Sequence, residues 1–476
     1  MKPTTRKVTA ALLATGLFAL SSAAMATNGY FTHGVGTESK AMAGTGVASS
    51  ENLGGIAAAT NPALAVFSDE KWQVGFAVFS PMRSYTASDS VIGGQGGAFT
   101  LQAGEFDSKN EAFPIPYVAK NWRLSNEDSL SVVFYGRGGM NTEWDNGQVA
   151  FFDPTGAGGA PSPVPGLFGG GVAGLDKADA GVDLMQAFLS VNWARKFNDN
   201  FAIGLGPVFA AQLFEAKGLS SFAGYSEVFA QYALNPANPP NFPWNVATSL
   251  TDNGHDMSTG YGFAIGVWGG SERFSYGLAY QTKMTMSEFD DYSHLYAEAG
   301  GFDIPSTLKG GISFMATDTA RINLDIEHIS YSDVASIHNP IMNLLTSCFT
   351  ANPAVAPETS GCLGGPAGAG FGWEDVTVFK AGVAFQADDK NTWRLGFSYG
   401  EEPIPSSEVL FNIMAPGVME NHFTAGWTGE RANGNVMSLS IMYAPSKEIS
   451  GTSTFDPTQT ITLEMSQFEL EFAYRF

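Results

Sequence analysis

Two cysteines, six histidines and a thin scatter of lysines and arginines are the residues of this chain best able to do chemistry. Cys348 and Cys362 stand in TSCFTANPAVAPETSGCLGG, a Gly-, Pro- and Ala-rich stretch. In a protein exported to an oxidising compartment, so close a pair predicts a loop disulfide. Without further ligands at metal-binding spacing, it predicts no metal site. His33, His255, His294, His328, His338 and His422 occur in no nucleophile context, so Ser–His–acid hydrolysis has no support and the chain is not read as an enzyme. No cofactor is implied. The remaining candidates are charges set singly among apolar residues: Arg137, Lys283, Lys309, Lys380 and Arg394, with Asp325, Glu327, Glu469 and Glu471. A buried charge needs a partner, so the use of these groups depends on the elements that place them.

Those elements are strands. The chain ends SQFELEFAYRF. Phe468, Leu470, Phe472, Tyr474 and Phe476 fall on one face of such a strand, and Gln467, Glu469, Glu471 and Arg475 on the other. Segments of roughly ten residues with this period recur from about Lys71 onward. Fourteen are predicted, joined alternately by tight turns such as NDN, TDT and RANGN and by loops of up to about forty residues. The even count and the asymmetry of the connections predict an all-β fold: a 14-stranded antiparallel transmembrane β-barrel over residues 71–476, with short periplasmic turns and long outer loops. A soluble sandwich of this length would split into domains with Greek-key returns. Trp72, Trp193, Trp268, Trp393 and Tyr474, near segment ends, are expected in interfacial girdles. Alternation turns the five cations named above towards the lumen. A net charge of -22 supplies no basic footprint for nucleic acid.

The start of the chain is different. MKPTTRKVTAALLATGLFALSSAAMA has a basic beginning, an apolar run from Val8 to Leu20 and Ala24-Met25-Ala26, which predict an export leader over residues 1–26, cleaved near Ala26. No apolar run of about 18 residues follows it, so no transmembrane helix is expected. Residues 27–70 are rich in Ala and Gly and lack period-two alternation. Short helical turns are predicted at Glu38 to Ala43 and Leu53 to Thr60, and Pro62 can open another, capped by the Asn61 side chain. Small residues let backbone approach a barrel wall closely, so this stretch is expected as a plug in the lumen, a hatch.

NGYFTHGVGTESKAMAGTGVA followed by ATNPALAVF resembles the N-terminal hatch of the FadL-type outer-membrane long-chain fatty acid transport family, which also includes aromatic hydrocarbon channels. Asn61, Pro62 and Ala63 match its Asn-Pro-Ala motif, and PIPYVAKNW, WRLGFSYGEEPIPSS and the terminal FAYRF add to the similarity. The resemblance implies a plugged barrel in the Gram-negative outer membrane that takes up hydrophobic compounds passively. The steps it implies are capture by outer loops, rearrangement of the hatch and lateral release through the wall where the third strand kinks. Gly136, Gly138 and Gly139 around Arg137 place that kink, because strand glycines mark bulges and bends. A fatty carboxylate would want a lumen cation, for which Arg137, Lys283, Lys309 and Lys380 are the candidates. The stretches Lys217 to Met257 and Ser287 to Ser306 are predicted to form amphipathic helices exposing a capture groove of Phe222, Tyr225, Phe229, Tyr292 and Tyr296. Implied partners are the hydrophobic ligand, outer-membrane lipid and lipopolysaccharide, and the barrel assembly machinery that reads the terminal Phe476; a monomer is expected. The alternatives are neutral hydrocarbons as substrate or, in another class, a structural adhesin or polar porin.

Overall fold

A computed structural model describes residues 28–51, 53–95, 98–144, 149–152, 162–165, 179–235, 237–238, 246–348 and 358–476. The expected leader, residues 1–26, lies outside them. Fourteen strands make the wall: β1 (Trp72–Ala87), β2 (Phe113–Arg123), β3 (Asp128–Trp144), β4 (Ala180–Asn198), β5 (Phe201–Lys217), β6 (Asp256–Gly270) and β7 (Phe274–Gln281), followed by β8 (Thr307–Met315), β9 (Ala320–Ile329), β10 (Val376–Gln386), β11 (Asn391–Gly400), β12 (Asn421–Glu430), β13 (Val436–Ser453) and β14 (Asp456–Arg475). Each pairs antiparallel with the next, and β14 closes on β1 from Gln73↔Arg475 to Ala87↔Ile461. Closure satisfies strand N–H and C=O groups that would otherwise face hydrocarbon.

The alternation divides the two faces sharply. In β14, Phe468, Leu470 and Phe472 are 41–44 % exposed on the outside, whereas Gln467, Glu469 and Glu471 are buried inside. Trp72, Trp193 and Trp393 also face outwards. Trp268 does not: it shares parity with Ala264 and Gly266 rather than with Phe263 and Ile265, so it turns into the lumen. There it donates from Nε1 to the Ala48 carbonyl at 2.9 Å and packs on Phe67, 4.4 Å between centroids. Several strands outrun the ten residues expected; β14 has 20, roughly 65 Å at about 3.3 Å per residue, against an apolar band about 25 Å tall. Their outer halves stand clear of lipid, where neither face is held to an apolar pattern, so the period seen in the sequence stops short of the strand.

Residues 28–51 and 53–70 fill the lumen. Helix α1 is a single turn, Thr37–Lys40, and two 3-10 turns follow at Gly55–Ala59 and Pro62–Phe67. Asn61 caps the second by accepting from the Ala63 N–H at 3.0 Å. Its amide also donates to the carbonyls of Val47, 2.8 Å, and Val267 on β6, 3.0 Å, so one side chain shapes the turn and ties it to the wall. Contact is backbone to backbone at Gly204 of β5, where a Cβ would stand 2.3 Å from the Pro62 carbonyl carbon.

Candidate functional site

Alternation on three neighbouring strands, with β3 across the lumen, brings three cations to one carboxylate. Glu327 of β9 is met at Oε1 by Arg137 Nη2 and Lys309 Nζ, both at 3.2 Å, and at Oε2 by Lys380 Nζ at 2.7 Å. Lys309 stands opposite Glu327 in the β8–β9 ladder, and Lys380 of β10 stands opposite Asp325. The Asp325 carboxylate accepts from the hatch N–H groups of Gly46, 2.7 Å, and Val47, 3.0 Å. Lys380 also donates to the His33 carbonyl at 2.8 Å, and Arg137 to Gln281 Oε1 at 3.0 Å. Three cations against Glu327 and Asp325 leave one positive charge in excess in a buried site. A cavity of about 20 Å³ opens beside it, lined by Tyr135, Arg137, Gln281 and Lys309.

Lys283 is not part of this cluster. Strand β7 ends at Gln281, so alternation no longer governs position 283; the side chain is 43 % exposed and pairs with Asp303 at 2.9 Å. A separate network fastens the hatch: Lys40 of α1 reaches Glu469 at 3.0 Å and Glu471 at 2.7 Å on β14, and Thr37 Oγ1 donates to Glu471 at 2.6 Å.

At the outer end lies a second cavity, about 50 Å³ and nearly all apolar, lined by Phe214, Phe222, Tyr296, Leu363, Phe371 and Met414 among others. Of the residues expected in an exposed groove, Phe222 and Tyr296 line this cavity, while Phe229 and Tyr292 are buried beside it and Tyr225 half-buried. They face inwards because the outer loops pack on one another and on the wall: Phe222 meets Phe411 at 5.3 Å, and Tyr292 meets Phe214 of β5 at 4.8 Å. The first stretch does form a helix, α2 (Glu227–Leu234), after a 3-10 turn, with Ser226 Oγ accepting from the Phe229 N–H. The second does not; it makes short turns at Asp290–Tyr292 and Ala297–Gly300, the latter broken by Glu298 and Ala299 at φ of 57° and 59°. Cys348 and Cys362 are bonded. The next residue, Leu363, exchanges backbone hydrogen bonds with Tyr225 and Glu227, so the disulfide steadies one side of the apolar cavity.

Aromatic rings span the interval between the two cavities. Tyr296 meets Phe302 at 4.8 Å, Phe302 meets Tyr30 at 6.3 Å, and Phe31 lies under the Arg137 guanidinium at 4.3 Å. Tyr30 and Phe31 belong to the tip of the hatch, and the sequence reading did not single them out. The signal was the adjacent pair of aromatics opening an otherwise small-residue segment. The tip docks on β3 at a bulge between Gly136 and Gly138: Thr32 N–H donates to the Arg137 carbonyl at 2.8 Å, and Gly139 N–H to the Tyr30 carbonyl at 3.0 Å. A Cβ on Gly138 would meet Gln186 Oε1 at 1.9 Å, so any larger residue there must turn the Gln186 side chain aside. The wall is incomplete at this level. β2 pairs with β3 only from Tyr117↔Tyr135 to Arg123↔Ser129, and Pro114 and Pro116 of β2 have no N–H with which to continue the ladder.

A family model described as "Outer membrane protein transport protein (OMPP1/FadL/TodX)" matches residues 172–448. The chain belongs to this family. No curated protein matches it by sequence. Among solved structures, the FadL-type barrel is similar to the toluene transporter TodX of Pseudomonas putida, with 14% identity over 93% of this chain and 98% of that one and a TM-score of 0.59. It is also similar to a FadL homologue of Pseudomonas aeruginosa (14%, 94% and 99%, 0.56) and to the toluene transporter TbuX of Ralstonia pickettii (16%, 93% and 98%, 0.54). At such identities the likeness is one of fold. Family and fold together make this an outer-membrane transport channel for hydrophobic compounds.

Proposed function

We propose that this FadL-type barrel takes up long-chain fatty acids passively. The outer apolar cavity receives the chain, the Tyr30–Phe31 tip withdraws, the carboxylate meets Arg137, Lys309 and Lys380, and the molecule leaves sideways where β2 and β3 part. The observation that supports an acid is the excess positive charge at the end of an aromatic path. An uncompensated buried cation is costly, and a carboxylate relieves that cost where a neutral molecule cannot. A neutral aromatic ligand is favoured instead by the density of rings between the two cavities, including Tyr331 at 5.5 Å and Trp373 at 6.0 Å from Tyr30. Mass spectrometry of the ligand that co-purifies with the detergent-extracted protein, followed by uptake of oleate and of toluene into proteoliposomes, separates the two. Oleate retained and transported is the expected result; toluene transported with oleate excluded overturns it.

A further inference from the structure

The seam between β2 and β3 is bridged by a side chain from the next strand. Moving outwards from Tyr117↔Tyr135, no backbone hydrogen bond among the described residues joins the β2 side to β3 until Lys109 N–H reaches the Glu143 carbonyl at 3.0 Å. Across this gap lies Arg83 of β1, buried beneath the wall. Its Nη1 donates to the Asn141 carbonyl on β3 and its Nη2 to the Asn110 carbonyl on the β2 side, while the guanidinium rests 5.6 Å from the centroid of the Phe113 ring. Two bonds from one fork thus replace the missing ladder. No described carboxylate forms an ion pair with Arg83, and its Nε is buried without a partner; Glu111 and Asp183 act on it only through space. The cavity it lines with Met140, Asn141 and Trp373 is about 10 Å³, too small for a ligand while the seam is tied.

We propose that Arg83 is a latch opened by the ligand's own carboxylate: it holds the seam shut through two neutral carbonyls and releases them when a carboxylate takes its fork. This rests on the reading that the channel carries acids. The exchange is favourable because a carboxylate adds the attraction of a full negative charge that a neutral carbonyl lacks, and because the planar guanidinium matches a carboxylate in two-point contact. Release at the wall is then coupled to the presence of an acid, and a neutral hydrocarbon of the same length leaves the seam tied.

The test uses the full-length barrel in lipid nanodiscs, with nitroxides on cysteines replacing Glu111 and Glu143, which flank the seam; the native cysteines are bonded to each other and do not react. Electron–electron distances are measured without ligand, with laurate and with dodecane. Laurate is expected to raise the wide-seam population on the order of a hundredfold, the effect of losing the two charge-assisted hydrogen bonds of the fork, and dodecane to leave it unchanged. Arg83→Met should be wide without any ligand, and Arg83→Lys intermediate. Laurate bound by mass spectrometry with no change in distance, or an equal response to dodecane, overturns the latch while leaving acid uptake standing. Laurate that does not bind at all overturns acid uptake and the latch with it. If Arg83→Met fails to give the heat-modifiable band of a folded barrel, the wild-type comparison of laurate with dodecane decides alone.

Discussion

Replacing Lys309 by Met tests the charge argument where it is most exposed. Lys309 Nζ stands 3.2 Å from Glu327 Oε1, yet Glu327 keeps Arg137 at 3.2 Å and Lys380 at 2.7 Å when it is gone. Arg137 and Lys380 are then balanced by Glu327 and Asp325, so the positive excess falls to zero while no carboxylate is left without a partner. The barrel should therefore fold as before. The ligand loses one charge-assisted hydrogen bond, about 1.5–3 kcal/mol, or about 10- to 150-fold in affinity for an acid. Dissociation constants for oleate and toluene, measured in nanodiscs on wild type and variant, check this. Oleate should weaken by at least about tenfold and toluene by less than about twofold. A parallel loss of both ligands would show that Lys309 matters for cavity shape alone, and an unchanged oleate affinity would remove the basis for preferring acids.

Three further outcomes follow from the same geometry. Asn61→Ala removes a cap, one bond within the hatch and one to the wall, roughly 2–4 kcal/mol by ordinary hydrogen-bond worth; hydrogen exchange should speed up across residues 61–67 while the strands keep their protection. Changing Cys348 and Cys362 together to Ser frees a loop whose closure is worth about 3 kcal/mol, and since Leu363 lines the apolar cavity, affinity for oleate and toluene should fall together, an effect that a reductant reproduces in the wild type. At the outer rim, the hydrogen bond that His255 Nε2 donates to the Asp183 carboxylate raises the pKa of His255 above the ordinary imidazole value. That bond's stabilisation is fully present below about pH 6.5 and is lost as pH rises through the raised value, so local protection of the rim should decline over that window and His255→Gln should flatten the profile.

What was legible in the sequence is what lipid enforces. In β14 every second residue must tolerate hydrocarbon, and the pattern from Phe468 to Phe476 therefore stood out. Asn61-Pro62 was legible because a cap and a fixed φ act within three residues, and Gly136, Gly138 and Gly139 because glycines inside a strand mark bulges. Sequence failed where the deciding contact was distant. Trp268 looks like a girdle residue until strand parity is known. Lys283 follows the period of β7 but lies beyond the last residue of the strand. The apolar loop residues were read as an exposed groove because the loops that cover them lie up to two hundred positions away. Arg83 gave no signal, since its role depends on a missing ladder between two other strands.

The same contacts decide which part of the plug can move. Its body is fastened by Lys40 to Glu469 and Glu471, by Gly46 and Val47 to Asp325, and by Asn61 to β6. Breaking a buried ion pair by withdrawing one partner costs about 3–5 kcal/mol, so expelling the whole hatch would forfeit far more than capture of one amphiphile returns. The tip is held to β3 by two backbone hydrogen bonds, each worth about 1 kcal/mol net, and by Phe31 against Arg137, about 0.5–2 kcal/mol. An incoming chain can replace the ring contacts of Tyr30 and Phe31 with its own, and its carboxylate can replace Phe31 on Arg137 with a stronger partner. Movement is therefore cheapest at residues 30–32, next to the bulge and the seam, and under the proposed uptake of acids the path would open there without the lumen being emptied.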